Sequence, residues 1–170
     1  MCSSDLTIQG DPEQAIGVEN YLRDILTVAG HLGLESFHYA GESLGGMLGM
    51  ALTALHHDRV RSLTLMSSSL TLRPEVVKAF AFDHPSWQDA LRTLGSRGWA
   101  DAANKNTRFP PGSDPQLLEW YAAEFGQSDV NVLIAMSKVA KTVNLNPHLA
   151  NIRRPVLGLY PTDEIGRAHV

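Results

Sequence analysis

Gly41-Glu42-Ser43-Leu44-Gly45 spells G-x-S-x-G, and the residues around it read strand, sharp turn, helix. That context separates a reactive serine from a chance match to a short pattern. Residues 36–40 form a short run with aromatic content that enters the first glycine as a buried strand would. Behind the motif, Gly46-Met47-Leu48-Gly49-Met50-Ala51-Leu52-Thr53-Ala54-Leu55 is apolar on nearly every face, as suits a helix buried against a sheet. A serine at such a turn sits in strained backbone geometry, where neighbouring side chains would collide. Glycine at 41 and 45 is expected to remove those collisions, and Gly46 to permit close helix packing. The helix N-terminus then lies under Ser43, where unpaired N–H groups favour developing negative charge. Ser43 is the candidate nucleophile, and the backbone N–H of Leu44 is the candidate oxyanion donor.

The order of the flanking segments extends the pattern. A helix expected over 12–32 precedes the motif, with Ala15, Val18, Leu22, Ile25, Ala29 and Leu32 on one face. After the motif helix, His57-Asp58-Arg59-Val60 leads into a strand over 61–66, a helical stretch follows, and a further strand is expected over 155–160. From about Asp11 to Asp163 this order resembles the α/β-hydrolase family. The resemblance implies an α/β fold class: a partial α/β-hydrolase fold with a short parallel sheet flanked by helices and a helical cap insertion. It divides the chain into a core over 7–69 and 155–163 and an insertion over 70–154.

Within the insertion, Ser86 can cap a helix over 87–94 that Gly95 ends. Asp114 and Pro115 open a second helix running to Gly126. Asp129 opens a third through about Val143, and Arg108-Phe109-Pro110-Pro111-Gly112 reads as a turn or loop. Such an insertion is either a lid over an active site or a peripheral decoration, and the resemblance favours the lid. Trp87, Trp99, Phe109 and Trp120 could line a hydrophobic substrate pocket, or they could form the core of the insertion.

A serine hydroxyl needs a neighbouring base, usually a histidine oriented by a carboxylate. The resemblance implies the chain order serine, acid, histidine. His31, His38, His56, His57, His84 and His148 do not match that order and place, so each reads as structural or solvated, with His84 the nearest substitute. The acid is half-present. Pro161-Thr162-Asp163-Glu164 stands where the family shows G-x-x-D, which would place the acid at 164. Asp163 is either the acid in a shifted turn or a polar turn residue. Glu42 reads as a polar contact at the turn. The second oxyanion donor of the family comes from a loop that would precede Thr7.

Composition is that of a soluble intracellular globular chain, with 44% apolar and 19% charged residues and a net charge of -4. It implies no nucleic-acid partner, and no apolar run is long enough to span a membrane. A cytoplasmic location and a small-molecule substrate are the expectations. No cysteine pair, His-Glu ligand spacing or phosphate loop is present, so neither metal nor cofactor is expected. The reaction expected is cleavage of a carboxylic ester or related acyl bond through an acyl-enzyme at Ser43. Lactonase, thioesterase and carbon–carbon bond hydrolase are variants of it. A halide-displacing hydrolase would need Asp where Ser43 stands. A lyase or cofactor-free oxidative enzyme with the same triad, or a non-catalytic ligand-binding module, are the alternatives.

The termini carry a separate signal. Residues 1–6 can be encoded by ATG TGC TCT TCC GAT CT, and residues 164–168 by an AG-ending codon followed by ATC GGA AGA GCA. AGATCGGAAGAGC is the reverse complement of GCTCTTCCGATCT. One oligonucleotide, resembling a common sequencing adapter, therefore accounts for residues 1–6 and 164–170; two natural termini would need a coincidence of about a dozen bases. The only cysteine, Cys2, lies in this part. On this reading the chain is an internal fragment whose histidine, and second oxyanion donor, lie elsewhere in the parent. Sequencing the parent gene is expected to show coding sequence that departs from residues 1–6 and 164–170 at both ends; continuation of either end into natural sequence overturns the adapter reading.

Overall fold

The computed structural model describes residue 8 and residues 10–160 of the 170. These form two compact units, one built from residues up to Ile16 with Arg73–Val139, the other from Gly17–Leu72 with the residues from Ala140 onward. Sequence patterning drew the insertion over 70–154. Residues 140–154 instead belong with the sheet: the Leu145 N–H donates to the Leu70 carbonyl at 3.0 Å, and the 3-10 turn Asn146–Asn151 packs on the helix after the serine motif.

The sheet unit carries three parallel strands in the order β1 (Phe37–Glu42), β2 (Val60–Met66) and β3 (Val156–Leu159). Helix α3 (Leu44–Leu55) joins β1 to β2, as a parallel pair requires of its crossover. Helical residues from Gly46 to Ala54 are all buried, which the all-round apolar sequence of this helix demands. Its one buried hydroxyl, on Thr53, donates to the Gly49 carbonyl at 2.7 Å, so its burial leaves no polar group unmet. Met47 and Leu52 of α3, with Val60, Leu63 and Leu65 of β2, make the core of this unit.

The helix expected over 12–32 is two helices. Helix α1 (Pro12–Ala15), capped by the Asp11 carboxylate, ends at Ile16, and α2 (Val18–His31) begins after an extended Gly17. Glycine has little helical preference, and a break there costs less than at any neighbouring residue. Leu22 and Ala29 of the expected stripe are buried, but Leu32 lies beyond the last turn of α2 and is 64% exposed. Helix α2 packs on α3, and that contact covers only part of its apolar face.

The helical unit contains α4 (Pro74–Ala79), α5 (Trp87–Asn106), α6 (Pro115–Gly126) and most of α7 (Val130–Thr142). Ser86 caps α5 as expected, accepting from the Asp89 N–H at 3.1 Å. That seryl hydroxyl also donates to the Asp89 carboxylate at 2.7 Å, and this bond holds the Asp89 pKa below the usual carboxylate value. Gly95, with φ 67° and ψ 176°, ends the first helical segment as expected, and a second segment begins at once across the kink. Trp99 is the centre of the unit. It is buried, stacks on Phe125 at 5.2 Å, lies 5.8 Å from Phe80, and donates its indole N–H to the Phe80 carbonyl at 3.0 Å.

Among the described residues, strand β1 stands at one edge of the sheet and β3 at the other. Val156, Leu157 and Leu159 are each about half exposed (48, 55 and 49%), on both faces of β3. A parallel strand with apolar residues on both faces is built to be covered on both. Open edges and uncovered faces favour association over a unique fold. Expressed alone, residues 1–170 are expected to give aggregated or loosely packed material. A monomeric elution profile with a cooperative thermal transition and full near-UV dichroism would refute this.

Candidate active site

Strand β1 ends at Glu42 and α3 begins at Leu44, leaving Ser43 alone at the junction. Its backbone has φ 50° and ψ -117°, a conformation that L-residues rarely adopt. The strain is held by backbone bonds on both sides. The Ser43 N–H donates to the Met66 carbonyl at the end of β2 (3.0 Å), and the Ser43 carbonyl accepts from Gly46 and Met47 (each 3.1 Å). The Ser43 side chain is half-buried and makes no capping hydrogen bond to α3. Among the described residues its hydroxyl has no hydrogen-bond partner, and an uncommitted hydroxyl on a fixed backbone is what a nucleophile needs.

Glycine positions explain how the turn closes. A Cβ on Gly41 would strike the Gly45 carbonyl group and come within 2.7 Å of the Gly46 nitrogen. A Cβ on Gly46 would overlap the Ser68 side chain. At Gly45 itself a Cβ would meet nothing within 4 Å among the described residues. The expected steric role of Gly45 therefore belongs to its backbone, which presses against Gly41, and the close helix packing belongs to Gly46. Leu44 and Gly45 occupy the first turn of α3, where N–H groups have no intrahelical acceptor and face the region of Ser43.

A second turn supports the first. Ser67, directly after β2, also has positive φ (48°), and its N–H donates to the Leu159 carbonyl at 3.0 Å. The buried Ser68 hydroxyl donates to the Met66 carbonyl at 3.0 Å, the same oxygen that accepts the Ser43 N–H. The Ser68 carbonyl in turn accepts the Tyr160 hydroxyl at 2.7 Å. Sequence reasoning did not single out Ser68, Met66 or Tyr160. Only the adjacency of three serines after a strand hinted at a special turn.

The other expected site residues are dispersed. Asp163 lies outside the described residues. Glu42 is exposed and has no ion-pair partner among the described residues. The His38 ring Nδ1 shares a hydrogen bond with the Ser62 hydroxyl at 2.7 Å, a cross-strand contact. His57 lies 3.1 Å from Asp58 at the exposed end of α3, and His31, His56 and His148 serve no bond to Ser43. His84 is half-buried in the helical unit, with its Nε2 enclosed and without a partner among the described residues.

Of the four aromatic candidates, Trp99 is not a pocket wall. It is 2% exposed and central to the core of its unit, because its ring is more useful stacked between Trp87 and Phe125 than facing solvent. Trp120 is the opposite case, 55% exposed on α6. Trp87 and Phe109 are half-buried. The Trp87 indole N–H is enclosed without a partner among the described residues, and Phe109 meets Tyr121 edge-on at 5.4 Å. Among the described residues no group of His, Cys, Asp and Glu is arranged to hold a metal ion. No helix among them is long and apolar enough to cross a membrane.

A family model described as alpha/beta hydrolase fold matches residues 9–169. The chain belongs to the alpha/beta hydrolase fold family. Solved structures agree on the fold. A hydrolase from Pseudomonas aeruginosa PA01 superposes with a TM-score of 0.72 at 24% identity, over 88% of this chain and 56% of its own. The enol-lactonase from Burkholderia xenovorans LB400 gives 0.70 at 24% identity, over 91% and 60%. An esterase from Exiguobacterium antarcticum gives 0.63 at 16% identity, over 85% and 55%. The chain thus spans less than two thirds of each of these structures. No curated protein sequence matches it.

The glycine geometry has a direct consequence. Gly41→Ala should force the first turn of α3 away from β1, with a cost of about 3 kcal/mol for overpacking backbone against backbone. In the full-length protein, denaturant unfolding should show that loss, whereas Gly45→Ala, at a helical position where a Cβ meets nothing within 4 Å, should be neutral or stabilising by up to about 1 kcal/mol, the helical preference of Ala over Gly. Equal losses at the two positions contradict the assignment of the close contact to Gly41.

Proposed function

We propose that the chain is the nucleophile-bearing part of a longer serine hydrolase that cleaves a carboxylic ester or related acyl bond. The observation that carries this reading is Ser43 itself: strained at φ 50° between strand and helix, with its hydroxyl unbonded among the described residues and the N-terminus of α3 beside it. In this role the Ser43 Oγ attacks the carbonyl carbon, and the charge that develops on the carbonyl oxygen is met by the Leu44 N–H. A general base removes the seryl proton and delivers it to the leaving alkoxide as the acyl C–O bond breaks. Water then repeats the sequence on the acyl-serine.

The base is a histidine supplied by the parent beyond this chain, and Asp163 is the acid proposed to orient it. The insertion is the part that selects the substrate in this reading, with Trp87 and Phe109 its half-buried aromatic candidates. A cytoplasmic location is part of the same proposal. Without a base, and with one oxyanion donor, the 170-residue chain is inactive: loss of one donor alone costs on the order of a hundredfold or more.

A fluorophosphonate probe tests the reading, because it phosphonylates an activated serine and releases fluoride. The full-length protein should be labelled, and Ser43→Ala should abolish the label. The 170-residue chain should label at least roughly a thousandfold more slowly, given the size of triad effects. An unlabelled full-length protein, or a label that survives Ser43→Ala, refutes the proposal.

A further inference from the structure

Tyr39 stands on β1 four residues before Ser43, and its side chain crosses the turn. Its hydroxyl donates to the Gly45 carbonyl at 2.9 Å, in the first turn of α3. The ring lies where a Cβ on Gly49 would meet it at 2.5 and 2.6 Å. Gly49 therefore makes room for the ring, and the ring spans from strand to helix. Two bonds then enclose the strained serine: Ser43 N–H to Met66 on the strand side, and Tyr39 O–H to Gly45 on the helix side.

We propose that Tyr39 is a positioning residue for Ser43: its hydroxyl, bonded to the Gly45 carbonyl, holds the first turn of α3 against the strand that delivers the nucleophile. This rests on Ser43 being the nucleophile. The Leu44 N–H lies inside the bridged segment, between Ser43 and Gly45. Without the bridge the first turn can shift on its strand, and the donor moves relative to the Ser43 Oγ. Oxyanion stabilisation depends on donor distance, so the loss falls on the transition state rather than on substrate binding. Burial raises the Tyr39 pKa above its ordinary value, so the hydroxyl remains a donor throughout the physiological range. A packing role alone would need only the ring and no bonded hydroxyl.

Full-length protein with Tyr39, Tyr39→Phe, or 4-aminophenylalanine at position 39 separates these roles, with Ser43→Ala as the control. Fluorophosphonate labelling rate and kcat for a 4-nitrophenyl ester should fall about five- to tenfold in Tyr39→Phe, the worth of one hydrogen bond. KM should stay within about twofold, since substrate binding is untouched. The amino group of 4-aminophenylalanine restores a donor and should recover most of the rate. Unchanged kcat in folded Tyr39→Phe overturns the proposal while leaving Ser43 as nucleophile. A loss that 4-aminophenylalanine does not repair overturns it too, because the ring would then be what matters. If Tyr39→Phe does not fold, 4-aminophenylalanine is compared with 4-methylphenylalanine, which has the same size and no donor; equal rates overturn the proposal. Absence of Ser43-dependent labelling in the unmodified protein refutes the serine reading and removes this inference with it.

Discussion

The contact of the Gly41 backbone with the first turn of α3 is the constraint on which the rest of the sheet unit depends. It brings strand end and helix start so close that the one residue between them must take an unfavourable backbone conformation. Strain of that kind costs on the order of 1–3 kcal/mol. A net contribution of about 1 kcal/mol from each hydrogen bond is enough to offset it when several converge. Three backbone bonds made by Ser43, together with the Tyr39 and Ser68 hydroxyls one step away, supply that convergence. The half-buried serine is therefore presented by its backbone rather than by a flexible loop, and its hydroxyl makes no bond among the described residues because the backbone groups do the holding.

The two units solve different packing problems. The sheet unit buries α3 on every side and leaves its outer strands uncovered, so its core is dense at one end and open at its margins. The helical unit is self-contained, organised on one indole that is stacked, enclosed and hydrogen-bonded. Two buried polar pairs tie its helices together, Ser96 donating to the Ser128 carbonyl and Gln88 to the Ser137 hydroxyl, while the His84 Nε2 and the Trp87 indole N–H are enclosed without a partner among the described residues. Such pairs fix helix register as well as satisfying buried groups.

The elements that were legible in the sequence are those whose cause is local. Ser43 and Gly41 announce themselves because the turn that needs them is five residues long. Ser86 and Asp114 announce their helices because a cap bonds to backbone two or three residues away. Where the cause is tertiary, the sequence was silent or misleading. Nothing within the run of apolar residues around Tyr39 says that it will meet Gly49, because that pairing exists only once strand and helix are packed. Trp99 and Trp120 look alike as aromatic residues on helices, yet one is enclosed and the other faces out. Gly17 and Gly95 were ambiguous for a further reason: glycine permits a break without dictating whether the next residues resume a helix. Pro74, at the first position of α4, was a usable start signal that periodicity alone did not reveal.

The Tyr160 hydroxyl on the Ser68 carbonyl has a reach beyond its own length. Tyr160 closes β3 just before the segment in which the acid is expected, and Ser68 shares an acceptor with Ser43. The ends of all three strands are thus measured from one carbonyl oxygen, that of Met66. A common origin of this kind cancels errors: if β2 slides or tilts, the serine and the neighbouring strand end are carried along with it. The separation between them then depends on a few short bonds, not on the many residues of the insertion that intervene in the chain. None of the residues from Arg73 to Val139 takes part in those bonds, so the helical unit can vary in sequence while the spacing at the strand ends is kept by the sheet unit itself.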